Sequence, residues 1–224
     1  GQFRLAAIPE HKKFNLEPYL KILEKRLKES SVKLQLNKEL DQPLIEKLAP
    51  DVIVQATGGK PRNLVLDTDA SVQVMSAWDV LRNGGCPGEV VAVIGAGEVG
   101  LETTEFLVQA GKKVHVFEVQ DDFGMEMRFW EKRFLLDRLQ ETEFDLLTQA
   151  KVKKVEKNTV YFERGGLSEA LSPVDCVILA IGTEPNRLPV LRDVGIPVIN
   201  VGDCISPGRF FDAINSGSTL RFTI

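Results

Sequence analysis

Residues 90–118 constrain this chain more than any other stretch. Val90-Val91-Ala92-Val93-Ile94 is apolar throughout and rich in β-branched residues, so it predicts a strand buried on both faces. It runs directly into Gly95-Ala96-Gly97-Glu98-Val99-Gly100, a G-x-G-x-x-G turn. Beyond Gly97 the spacing becomes helical, with Val99, Thr103, Phe106, Leu107 and Ala110 on one side and Gly111 as a C-terminal cap. A second strand, Val114-His115-Val116-Phe117, ends on Glu118, 23 positions after Gly95. A dinucleotide-binding βαβ unit expects roughly 20.

Each part of that unit has a physical task. Gly95 permits the tight turn, Gly97 lets backbone approach a pyrophosphate, and Gly100 lets the helix pack closely on the strand. The first-turn N–H groups, in the stretch holding Ala96, Glu98 and Val99, would hold phosphates with the helix dipole behind them. Glu118, with Val119 beside it, would accept hydrogen bonds from the adenosine ribose hydroxyls. The same carboxylate would repel a 2′-phosphate, which predicts NADH over NADPH. A glycine turn that merely joins strand to helix is the plainer alternative. Strand, helix, cap and terminal acid all falling in place favour the nucleotide site.

The 224 residues suffice for one large or two modest domains. A formal net charge of −4 gives no reason to expect nucleic acid or an anionic membrane as partner. No apolar run reaches the roughly 20 residues of a membrane span. Cys86, Cys176 and Cys204 form no C-x-x-C pair, which predicts reduced thiols in a cytoplasm. Two histidines, His11 and His115, exclude a histidine-rich metal site.

Elsewhere the pattern is coarser. Asn15 reads as the N-cap of a helix ending near Ser30, with Pro18 in its first turn and Leu16, Tyr19, Leu20, Leu23 and Leu27 on its apolar face. Residues 32–36 alternate as a strand, 44–48 make a helical turn, and 51–59 make a buried strand. A short helix is expected to 81, and one over 127–139 with Trp130, Phe134 and Leu135 inward. A third parallel strand at 144–147 precedes a hairpin over 151–164. Residues 175–183 repeat the pattern of 51–59, and a strand at 198–204 precedes a helical segment from Asp212. His115 reads as a packed or edge histidine, and Cys86 as inert with no second cysteine nearby. No residue is assigned a catalytic role.

The repeated strand ends and the closing Val201-Gly202-Asp203 carry a resemblance over nearly the whole chain. It resembles the pyridine-nucleotide-disulfide-oxidoreductase-like half of the NADH:flavin oxidoreductases, the group of 2,4-dienoyl-CoA reductase and trimethylamine dehydrogenase. The resemblance implies an α/β architecture, a Rossmann-like NAD(P)-binding domain inserted into an incomplete FAD/NAD(P)-binding domain. The insert would be 72–193, and 1–71 with 194–224 would be the remnant of the FAD- or ADP-binding domain, lacking its N-terminal βαβ. Thr57 and Gly58 match the strand end where the chain leaves the first domain. Ala180, Ile181 and Gly182 match the end of the insert, and Asp203 matches the acid that meets the flavin's linker. For Asp203 a strand-end acid capping the helix beyond is an equal alternative. Glu102 matches a position near the nicotinamide, or is an exposed helix acid.

The implied function is the NAD(H)-binding portion of a flavin-dependent oxidoreductase, passing hydride from NADH to a flavin for reduction of an enoate or dienoyl-CoA type of substrate. A non-catalytic scaffold that binds ADP or NAD is the alternative. The chain is expected to be a truncated piece whose partners are the flavin-binding βαβ and a catalytic barrel. Alone it is expected to be inactive, to hold no FAD, and to self-associate along an open edge.

Overall fold

A computed structural model describes residues 1–140, 142 and 144–222. They form two compact units, Pro61–Gly182 and, from both flanks, Gly1–Lys60 with the chain from Thr183 onward. The chain opens with α1 (Gln2–Ala6), α2 (Glu10–Glu29), α3 (Gln42–Leu48), β1 (Ile53–Gln55) and β2 (Gly59–Pro61). There follow β3 (Asp67–Thr68), β4 (Gln73–Ser76), α4 (Ala77–Asn83), β5 (Val90–Ile94), α5 (Glu98–Gln109), β6 (Lys113–Phe117), α6 (Phe129–Leu139) and β7 (Phe144–Leu147). Next are β8 (Ala150–Glu156), β9 (Thr159–Arg164), β10 (Leu167–Leu171) and β11 (Cys176–Leu179). The chain ends with β12 (Thr183–Pro185), β13 (Val198–Asn200) and α7 (Phe210–Ser218).

The 61–182 unit is built on a five-stranded sheet in the order β4-β11-β5-β6-β7, parallel throughout. Strand periodicity sends successive side chains to opposite faces. Val91, Val93, Val114, Val116 and Ile178 therefore pack with Val80 of α4, Leu101 and Leu107 of α5, and Leu135 and Leu139 of α6. Ala92, Ile94, Phe117, Val177 and Leu179 face the other way, onto Val155, Val160 and Phe162 of the β8–β9 hairpin. Phe117 and Phe162 meet edge to face, with ring centroids 5.0 Å apart. Burying each such valine or leucine stabilises by about 1.5–3 kcal/mol, so the helix and hairpin layers hold the sheet from both sides. Arg62 N–H donates to Gly182 O at 3.0 Å, joining the unit's two ends.

The units change over at 60/61 and 182/183, eleven residues before the expected boundaries of 71/72 and 193/194 at both ends. The local bonding explains this. Asp67 and Thr68 pair with Lys154 and Val155, and Leu66 packs on the hairpin core. Asn186 N–H donates to Gly58 O at 3.0 Å and Leu188 N–H to Gln55 Oε1 at 3.0 Å, which ties the stretch after Gly182 to the other unit.

In the flanking unit β1 runs parallel to β13 in a two-stranded sheet. Buried Gln55 is satisfied, since its amide also donates to Asn200 Oδ1 at 2.9 Å. Three expectations fail here and nearby. The helix expected to be capped by Asn15 is α2, which starts at Glu10, so Asn15 and Pro18 both lie inside it. Residues 32–36 form no strand. Val32, Leu34 and Leu36 are exposed, and alternation without a neighbouring ladder leaves backbone groups better served by water. On α6 the inward stripe is Leu135 and Leu139, whereas Trp130 and Phe134 are exposed. Both stripes have i,i+4 spacing, so periodicity alone does not choose between them.

Candidate dinucleotide site

In the 61–182 unit the chain leaves β5 through α5 toward β6, whereas β4 and α4 belong to the side of β11. The strand order reverses between β5 and β11, and such reversals open a crevice at the carboxyl ends of the strands. The glycine turn lies at that crevice. Gly95 has φ +104° and donates its N–H to Phe117 O at 2.8 Å. A Cβ on Gly95 would stand 2.5 Å from Ala180 O, and one on Gly100 would stand 2.0 Å from Gly95 O. Both positions require glycine because backbone presses on backbone. Ala180 N–H donates to Ile94 O at 2.8 Å, so Ala180, Ile181 and Gly182 follow directly beside the turn.

Glu118, one residue past β6, is fastened to the same turn. Its Oε2 accepts from Ala96 N–H at 2.7 Å and its Oε1 from Gln120 N–H at 2.9 Å. Each oxygen keeps a further lone pair for a ribose hydroxyl. Val119 is exposed next to it, and Val99 is partly exposed on the first turn of α5. Gly97, the N-cap residue, offers no side chain to the helix amides. Instead Glu98 N–H donates to Glu126 Oε1 at 2.5 Å. A carboxylate thus sits where a helix N-terminus ordinarily receives phosphate, so the turn does accept an anion. The cradle of Gly95–Gly100 with Glu118 fits the ADP half of a dinucleotide.

Two acids lie buried behind the turn. Glu102 is 6 % exposed, a buried position rather than that of an exposed helix acid. Glu105, also buried, takes a two-pronged ion pair from Arg138 of α6, with Nη2–Oε2 3.2 Å. Nothing local in sequence announces that pair, because its partners lie on different helices. His115 is buried with Nδ1 2.8 Å from Asp145 Oδ2. Burial holds its pKa below the ordinary value, against the opposing charge of Asp145. Lys132 pairs with Asp122 at 3.0 Å, and that hydrogen bond holds the Asp122 carboxyl below the usual range. Cys86 does have a second cysteine nearby. A hydrogen bond with Cys176 holds the Cys86 thiol below its ordinary value, and the same contact, with burial, pushes Cys176 up.

Thr57, Gly58 and Asp203 belong to the flanking unit, beyond the carboxyl ends of β1 and β13. Thr57 Oγ1 donates to Asn186 O, and Gly58 has φ +72°. Asp203 Oδ1 accepts from Gly208 N–H at 3.2 Å, whereas the first turn of α7 is closed by Asp212 on Arg209 N–H at 2.8 Å. Asp203 therefore braces the loop ahead of α7 and does not cap that helix. Among the described residues, no three acidic, histidine or cysteine side chains cluster as metal ligands. Among them no helix is long and apolar enough to cross a membrane.

A parallel sheet with a glycine-rich turn at its reversal point, interrupting a second parallel pair, defines an α/β protein of the FAD/NAD(P)-binding type. Comparison with known proteins agrees. The chain belongs to the pyridine nucleotide-disulphide oxidoreductase family, whose model matches residues 21–204. It is 32% identical over 206 residues to the bilirubin reductase of Mediterraneibacter gnavus (strain CC55_001C), covering 91% of this chain and 32% of that protein. It is 29% identical over 209 residues to the NADH oxidase of Thermoanaerobacter brockii, covering 90% of this chain and 32% of the relative. Among solved structures, 2-naphthoyl-CoA reductase superposes with a TM-score of 0.90 at 22% identity, over 100% of this chain and 34% of that one. The chain thus spans about a third of the length of the curated relatives it matches. These matches mark it as a domain of the pyridine nucleotide-disulphide oxidoreductase type.

Proposed function

We propose that the 61–182 unit binds a reduced nicotinamide nucleotide, NADH in preference to NADPH, within an NADH:flavin oxidoreductase of the 2,4-dienoyl-CoA reductase and trimethylamine dehydrogenase group. The observation that carries this is the Glu118 carboxylate held by Ala96 N–H beside the amide end of α5. Ala96, Gly97, Glu98 and Val99 would face the diphosphate, and Glu118 and Val119 the adenosine ribose. Ala180, Ile181 and Gly182 would line the far wall. A nicotinamide bound there supplies hydride for a flavin, and the protein's part is orientation and electrostatics. Reduction of an enoate or dienoyl-CoA type of substrate, a barrel and a flavin-binding βαβ belong to the complete protein. In this reading Thr57, Gly58 and Asp203 would border its flavin. Names such as bilirubin reductase and NADH oxidase among the relatives support a reductive role.

The test is titration of the chain with NADH and NADPH, followed by fluorescence, alongside Glu118→Ala. Tighter NADH binding that falls toward parity in the variant is expected. Tighter NADPH binding by the unsubstituted chain, or an unchanged preference in the variant, overturns the assignment.

A further inference from the structure

Glu126 stands on the turn without a place in that reading. It belongs to the loop between β6 and α6, and its Oε1 accepts the Glu98 amide proton at 2.5 Å. That oxygen lies 2.6 Å from where a Cβ on Gly97 would stand, so it fills the space that this glycine leaves open. The loop is anchored nearby. Gly124, at φ +54°, donates its N–H to Ala96 O at 2.8 Å, and Met127 N–H closes onto Gly124 O at 3.0 Å.

A phosphate oxygen and a carboxylate oxygen seek the same amide at the positive end of the same helix dipole. Two anions in one such place repel, so occupancy by one excludes the other. We propose that Glu126 is an internal competitor for the phosphate-binding end of α5 and sets the affinity of the site for diphosphate ligands. The inference rests on the reading of the 61–182 unit as a nicotinamide-nucleotide site. It concerns the diphosphate alone, since adenosine and its ribose meet Glu118 and not the Glu98 amide. A helix cap with no bearing on ligands is the competing account.

The test titrates the chain, Glu126→Gln and Glu126→Ala with NADH, ADP and adenosine, and records the melting temperature of each without ligand. Glutamine keeps an oxygen for the amide but loses the charge, so it serves even if the alanine variant folds poorly. Both substitutions are expected to tighten NADH and ADP, by about three- to tenfold for alanine, and to leave adenosine unchanged. The alanine variant should also melt lower. NADH and ADP binding as weak as before, or weaker, in both variants overturns the competitor and leaves a cap. Equal tightening of adenosine overturns it as well. Failure of the underlying reading looks different, because none of the three chains would then bind NADH or ADP, and both proposals would fall.

Discussion

Gly100 and Glu118 show how little tolerance the turn has. A methyl at residue 100 would overlap Gly95 O, and neither partner is the far end of a flexible side chain. Gly100→Ala should therefore destabilise by about 3 kcal/mol or more, read from denaturant midpoints at unchanged m-value. His115 gives a pH signature. In the unfolded chain it titrates near 6.5, and in the fold burial holds it lower. The unfolded state then binds more protons in between, so stability is full above about pH 6.5 and falls as pH drops toward the native value. Asp145 opposes the shift and Lys113 adds to it. Unfolding curves from pH 8 to 5 should show that loss, and His115→Gln should flatten it. A His115 whose removal leaves the slope unchanged would contradict the assignment.

Helix α6 separates what sequence could tell from what it could not. Its existence was legible from spacing, but the choice between the Leu135–Leu139 stripe and the Trp130–Phe134 stripe depended on what lies beneath. Leu135→Ala should cost about 2–5 kcal/mol, and Trp130→Ala less than about 0.5 kcal/mol, as measured by thermal or chemical unfolding. The β5–α5–β6 unit was readable almost whole, because glycines, strand run and terminal acid are local signals in register. Residues 32–36 misled for the opposite reason, since alternation describes a strand only where another strand receives its ladder. Glu105 with Arg138, Cys86 with Cys176 and Glu126 on Glu98 were invisible, because each joins positions that only tertiary folding brings together.

The flanking unit carries its apolar residues differently from the 61–182 unit. Helix α2 has no buried residue along its length, and Phe14, Ile22, Leu23 and Leu27 are exposed with Val32, Leu34 and Leu36 following. Its pairings, β1 with β13 and β12 with β2, are sheets of two strands each, fewer than a stable independent sheet ordinarily needs. Such a surface favours association, so sedimentation of this chain should show concentration-dependent oligomers, reduced by Leu23→Lys with Leu27→Lys. A monomer at all concentrations would refute that expectation.

The hydrogen bond between Arg62 and Gly182 has a consequence of another kind. A segment stapled between its second and its last residue asks of the polypeptide on either side only two nearby ends. It can be grafted into a loop of a host protein, or its ends ligated into a ring, without stretching either partner. In that respect the 61–182 segment behaves as an insertion cassette, its two ends already brought together.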